Sequence, residues 1–139
     1  MSSWFQHSIR LREYPRGIHL ITDQIRQGVP EIANCGIGRL HVFLQHTSAS
    51  ITINENASPE VRTDLDRFLN YLVPDSYTDF DHIDEGADDM PAHVKVAFVG
   101  NSLTIPVTNG SLALGTWQGL YLFEHRSAPH RREVAALLR

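Results

Sequence analysis

The sequence predicts an α+β fold: one domain with an antiparallel, sandwich-like β core and two to three helices. Three observations carry this. Apolar and polar residues alternate at the N-terminus and through the last third, Asn109-Gly110 separates two such runs, and two intervening segments repeat their apolar residues at spacings of three and four.

Phe5, His7, Ile9 and Leu11 alternate with Gln6, Ser8, Arg10 and Arg12, the pattern of a half-buried strand over 5–12. After Pro15 and Gly17, the spacing of Ile18, Ile21, Ile25 and Val29, with Thr22 and Asp23 near the start and Gly28 with Pro30 near the stop, predicts a short amphipathic helix. The run 37–47 reads as a central strand, with Val42, Leu44 and His46 on one face and His41, Phe43 and Gln45 on the other. Ser58-Pro59 is a helix start, followed by Val61, Leu65, Phe68, Leu69 and Leu72 at helical spacing and ended by Pro74.

Residues 75–89 hold seven acids and no lysine or arginine, so they predict a loop. A further helix starts near Asp88, with Val94, Ala97 and Phe98 as its apolar stripe, and runs to Gly100. Leu103, Ile105 and Val107 then alternate up to Asn109-Gly110, and Leu112 and Leu114 return from it as a hairpin. Strands over 119–126 and 132–138 complete the chain. No internal repeat or linker divides residues 1–139, so one domain is expected.

Composition excludes several functions. The 139 residues are 42% hydrophobic and 20% charged, as in ordinary globular chains. A net charge of -4 with one lysine, Lys95, argues against nucleic-acid or anionic-membrane partners and favours a small polar ligand or a protein partner. Cys35 is the sole cysteine, so no internal disulfide forms, and nothing beside it resembles an activated thiol. The first residues show no basic region followed by an apolar one, and no apolar run approaches membrane-spanning length, so a cytoplasmic location is expected. Eight histidines are unusual beside twelve lysines and arginines, and they point to chemistry.

Four strings occur in order: His46-Thr47-Ser48-Ala49-Ser50 with Asn54-Glu55-Asn56; the stretch from Glu85 through Asp88-Asp89-Met90-Pro91 to His93-Val94-Lys95; Gly115-Thr116-Trp117-Gln118-Gly119; and Glu124-His125-Arg126. Together they resemble the YjbQ-like family over nearly the whole chain. The resemblance implies a β-rich α+β protomer, a homotrimer, a metal ion held by histidines at a subunit-associated site, and a weak thiamine-phosphate synthase activity that joins a pyrimidinylmethyl diphosphate to a thiazole phosphate.

From the residues themselves, a metal requires three ligands in one place, because zinc takes neutral imidazole and catalytic sites commonly leave one position open. His46 at a strand end, His82 in the acidic loop and His93 one turn after Asp89 are the candidates, with Asp89 placed to orient His93. Their spacing matches no compact zinc motif. The plainer readings are a core histidine, a solvated loop histidine and a helix-surface hydrogen-bonder. His7, His19, His41 and His130 lie outside the strings, and His125 shares a strand face with Tyr121 and Phe123, as packing would require.

Glu55 and Glu124 are candidate acid–base groups, Glu124 equally a structural ion pair with an arginine such as Arg62 or Arg126. Lys95, Thr47 and Ser48 would receive a phosphate or diphosphate. Trp117 and Gln118 are substrate-binding candidates, with Trp117 more simply a core plug. The spacing of Asp79, Asp81, Asp84 and Glu85 misses the EF-hand pattern, so a solvated loop is favoured over a calcium site. Arg126, Arg131 and Arg132 form either an anion site or a solvated edge.

These expectations define a metal-dependent enzyme, with zinc as the expected metal, acting on a phosphorylated small molecule. The alternatives are a hydrolase that activates water with the same ligands, and a non-enzymatic metal- or metabolite-binding trimer.

Overall fold

The computed structural model describes residues 3–139; Met1 and Ser2, which begin the segment read above for a leader, lie outside the described residues. The elements in chain order are β1 (Phe5–Tyr14), β2 (Gly17–Leu20), α1 (Thr22–Gly28), a 3-10 turn (Pro30–Asn34), β3 (Ile37–Leu44), β4 (Ala49–Glu55), α2 (Pro59–Leu72), α3 (Asp89–Val99), β5 (Ser102–Thr108), β6 (Ser111–Leu112), β7 (Gln118–Glu124) and β8 (His130–Leu138).

The strands form two antiparallel sheets, a five-stranded one in the order β1-β8-β3-β5-β6 and a three-stranded one in the order β2-β7-β4. Their facing surfaces make the main core. Ile9, Leu11, Leu40, Val42, Leu44, Val134 and Ala136 from the larger sheet pack with Ala49, Ile51, Leu120 and Leu122 from the smaller, closed by Ile21 and Ile25 of the α1 segment. The other face of the small sheet carries Ile18, Tyr121 and Phe123, against which Leu65 and Leu69 of α2 and Val99 near the end of α3 pack. The central strand β7 is therefore covered on both faces, which explains its nearly unbroken apolar run Gly119-Leu120-Tyr121-Leu122-Phe123. The α+β class and the sandwich-like core are as the sequence predicts.

Four local readings change. Ile18, read as the first member of the helical series, belongs with Leu20 to β2, paired with Phe123 and Tyr121, while the helix itself starts at Thr22, beside Asp23, as expected. A separate strand, β4, follows the bend at Thr47-Ser48, where the sequence reading places none. In α3 the buried residues are Asp89, Pro91, Ala92 and Lys95, while Phe98 is exposed. The apolar positions of that short helix are too numerous to define one stripe, and sheet contacts choose the inner face. Trp117 is 63% exposed and plugs no core. The hairpin is as expected: Asn109 and Gly110 have φ of 49° and 80°, the left-handed pair that a two-residue turn of this twist requires. No helix among the described residues is long and apolar enough to cross a membrane.

One buried polar pair lies under α3. Ser50 Oγ and His125 Nε2 are 2.8 Å apart, and both residues are buried. Burial, then the charges of Lys95, Arg132 and Arg16, push the His125 pKa from 6.5 down to about 3. The unfolded chain therefore binds a proton below pH 6.5 that the folded chain refuses. Stability from this residue is complete above that pH and falls by about 1.4 kcal/mol per pH unit below it. In chelator-treated protein, the urea midpoint should fall more steeply between pH 7 and 5 for the parent than for His125→Gln. Parallel slopes would remove His125 as the cause.

Candidate metal centre

The first turn of α3 and the acidic loop before it place four ligand-bearing side chains together. Asp89 and His93 are four residues apart on one helix, hence on one face, and the loop brings His82 and Glu85 over that face. His82 Nε2 lies 3.0 Å and His93 Nε2 3.1 Å from the same oxygen, Asp89 Oδ2, and Glu85 Oε2 is 3.6 Å from His82 Nε2. All four ligand atoms fall within 4.8 Å of one another.

The hydrogen bonds around this cluster test whether a cation fits. His93 Nδ1 donates to the carbonyl oxygen of Thr47 at 2.6 Å, an acceptor only, so Nδ1 carries the proton. The lone pair of neutral His93 on Nε2 then faces a carboxylate oxygen that His82 Nε2 also approaches. His82 Nε2 can donate to that oxygen in its own tautomer, but without a cation or a second proton on His93 the facing lone pairs of His93 Nε2 and Asp89 Oδ2 are repulsive. The 3.0 and 3.1 Å separations are close to the roughly 3.3 Å edge of a tetrahedron built on metal–ligand bonds of about 2.0 Å. Two imidazoles with one or two carboxylates is a donor set suited to zinc.

The support behind these ligands is also in place. Arg126 Nη1 donates to Asp89 Oδ1 at 2.8 Å, leaving Oδ2 to face the histidines. The same guanidinium donates through Nε to Asp88 Oδ2 at 3.0 Å and through Nη2 to the Glu85 carbonyl at 3.0 Å, so it ties the loop to the helix start. Burial works against ionisation of Asp88, but the Ser127 N–H and Arg126 outweigh it and bring its pKa to about 2. Asp89 is likewise held below its usual value, since His93, Glu85, Arg126 and His82 together overcome its burial. Both groups are carboxylates at neutral pH.

The structure brings His82 and His93 together but not His46. The Nε2 of His46 accepts the backbone N–H of Glu133 at 2.8 Å, so its lone pair ties the end of β3 to β8. Burial and Arg132 lower its pKa, which keeps it neutral for that task. Thr47 serves the centre through its carbonyl oxygen, and the Ser48 hydroxyl accepts from Arg132 Nη2 at 3.0 Å.

Lys95 is two residues beyond His93, about 200° around the helix, and its buried ammonium donates to Asn70 Oδ1 at 2.6 Å. Burial, then Arg16, lowers its pKa. Glu55, Trp117 and Gln118 lie at the far end of the small sheet. Register pairs Glu55 with Gln118 and Ala49 with Glu124, so β7 separates Gln118 from Glu124 by roughly 20 Å at its rise per residue. The Glu55 carboxylate accepts the N–H groups of Ala57 and Ser58 at the start of α2, and Gln118 Oε1 accepts that of Gly115.

Glu124 is buried in a bidentate pair with Arg132, not with Arg62 or Arg126. Asp89 and Glu85 are the two cluster members that the sequence reading did not take as ligands. Their signal was present in the spacing His82-x2-Glu85-x3-Asp89-x3-His93, which is compact enough for one loop and one helical turn.

Comparison with known proteins places the whole chain. A family profile described as UPF0047 protein YjbQ-like matches residues 7–138. The UPF0047 protein YjbQ of Escherichia coli O157:H7 is 46% identical over 135 residues, covering 97% of each chain, and that of Salmonella typhimurium is 48% identical over the same length and coverage. Among solved structures, a conserved hypothetical protein of Thermus thermophilus superposes with a TM-score of 0.82 at 29% identity, over 93% of this chain and 96% of that one. A protein of Sulfolobus solfataricus P2 superposes with a TM-score of 0.80 at 27% identity, over 98% and 96%. With a profile that spans all but the ends and relatives near half identity over almost the full length, the chain belongs to the UPF0047, YjbQ-like family.

Proposed function

We propose that this chain is a divalent-metal-dependent enzyme of small-molecule chemistry, with zinc held by His82, Asp89 and His93 and with Glu85 as the proton-handling group beside it. The observation that carries the reading is the convergence of both imidazole Nε2 atoms on one oxygen of Asp89, whose other oxygen is held by Arg126. A divalent cation supplies Lewis acidity and makes water a nucleophile near neutral pH. The chain's part is orientation. Thr47 fixes the His93 tautomer, Arg126 fixes the Asp89 carboxylate, and Glu85, its side chain 63% exposed, is free to hold or move a proton.

Hydrolysis of an ester, amide or phosphoester has better support than the thiamine-phosphate synthase activity that the family resemblance implies. A departing diphosphate calls for free cationic donors. Lys95 points to the other side of α3, and Arg126 is committed to Asp88 and Asp89. Assembly into a homotrimer is part of the same proposal. Self-association is supported by an accessible surface of 8011 Å², against roughly 7,300 Å² for a compact monomer of this size, and by the exposed Phe68, Tyr71 and Leu72 of α2; the number three comes from the family resemblance.

The test is metal analysis of untagged protein after exposure to zinc, together with a panel of chromogenic esters and phosphoesters. The expected result is near one equivalent of metal per chain in both the parent and Glu85→Gln, with turnover in the variant lowered by about a hundredfold or more. No metal in the parent would end the proposal. Undiminished turnover in Glu85→Gln would remove Glu85 from proton transfer.

A further inference from the structure

A cleft of about 410 Å³ opens directly beside His82. One wall is built from Tyr77 and Phe80, whose ring centroids lie 4.6 Å apart at 56°, and the others from Ile83, Met90 and Pro91. The Tyr77 and Ile83 side chains are exposed, although each offers an apolar surface that folding would ordinarily cover. The volume is at the lower end of small-molecule sites, enough for one or two rings.

Electrostatics narrows the class of ligand. Within residues 75–89 there are seven acids and no lysine or arginine, and no lysine or arginine lines the cleft. The nearby arginines are already neutralised: Arg16 pairs with Asp75 at 2.9 Å, and Arg126 with Asp88 and Asp89 at 3.0 and 2.8 Å. Asp79, Asp81, Asp84 and Glu85 do not line the cleft, but each is exposed and lies within two residues in sequence of one that does, so the same loop carries a negative field beside the aromatic wall. An aromatic wall under a negative field attracts cations and electron-poor rings, and it repels phosphate and carboxylate.

We infer that the cleft beside His82 binds an aromatic or heteroaromatic ring carrying a positive charge and no phosphate, placing the ring's substituent at the metal centre, which narrows the hydrolysis proposed above to esters and amides. Tyr77 and Phe80, already in contact with each other, form the wall against which the ring packs, the acids of the loop select its charge, and His82 belongs to both the cleft wall and the metal cluster. The inference rests on the metal reading for its chemistry but not for ring binding, so the two fail separately.

The test uses tyramine as the cationic probe and phenyl phosphate as the anionic one, each titrated into zinc-loaded protein while the backbone amide NMR signals of residues 75–91 are followed. Zinc content is measured on the same samples. Tyramine should shift these signals saturably, and Tyr77→Ala should weaken its binding by about tenfold. Asp79→Asn with Asp81→Asn should weaken tyramine while leaving phenyl phosphate no worse a ligand than before. Phenyl phosphate binding tighter than tyramine, or tyramine shifts lying outside 75–91, would overturn the inference. Absent zinc with tyramine still shifting 75–91 would overturn the metal reading and leave the ring site standing. Unchanged affinity in both Tyr77→Ala and Phe80→Ala would also reject the aromatic wall as the ring's contact.

Discussion

Replacement of His93 by alanine is expected to lower zinc affinity by more than about a hundredfold, since even the partners behind a ligand are commonly worth about 10- to 100-fold. The fold should survive. His93 is half-buried, and the Thr47 carbonyl that it releases can turn to water. His82→Ala should lose the metal in the same way, whereas His46→Ala should retain it, because His46 Nε2 is occupied by the Glu133 N–H rather than aimed at Asp89. Equilibrium dialysis against a zinc buffer, with circular dichroism on each variant, separates loss of ligand from loss of structure. Zinc retained in His93→Ala would reject the cluster, and zinc lost from a folded His46→Ala would return that residue to the site.

The contrast among these three histidines shows what the sequence could and could not reveal. His82 and His93 lie within twelve residues of each other, and local chain geometry nearly suffices to bring them together. His46 sits at a strand end beside a polar run, where two outcomes look alike from sequence: a ligand reaching a site, or an acceptor for a neighbouring strand. The decision rests on the register of β8 beside β3, which places Glu133 within reach, and pairing between strands so distant in sequence leaves no local pattern.

The same limit explains β2 and the far-end residues. Ile18 fits a helical period with Ile21 and Ile25 as well as a strand period with Leu20 over so short a run, and only pairing with β7 selects the strand. Glu55 and Glu124 both belong to the strings that carry the family resemblance, yet antiparallel pairing of β4 with β7 puts them at opposite ends of the small sheet. Alternation along β7 correctly turns Glu124 inward, as period-two reasoning allows. What alternation could not supply was the partner, because Arg132 comes from the other sheet.

That partner decides how Glu124 should be tested. Glu124 is 1% exposed and Arg132 5%, and the pair is bidentate at 2.7 and 2.6 Å, with Arg126 N–H and Ser48 Oγ satisfying further positions. Truncating one member leaves a charge buried without its counterion. Arg132→Ala is therefore expected to cost about 3–5 kcal/mol of stability, a large part of what holds a domain of this size together. Replacing both members, Glu124→Leu with Arg132→Met, removes the buried charges together and should recover most of that loss. Urea unfolding of Arg132→Ala, of the single variants Glu124→Leu and Arg132→Met, and of the double measures this directly. If Glu124 handled protons for the reaction as well, the double variant would be stable yet inactive. An active, stable double variant would assign the pair to joining the two sheets behind the metal centre.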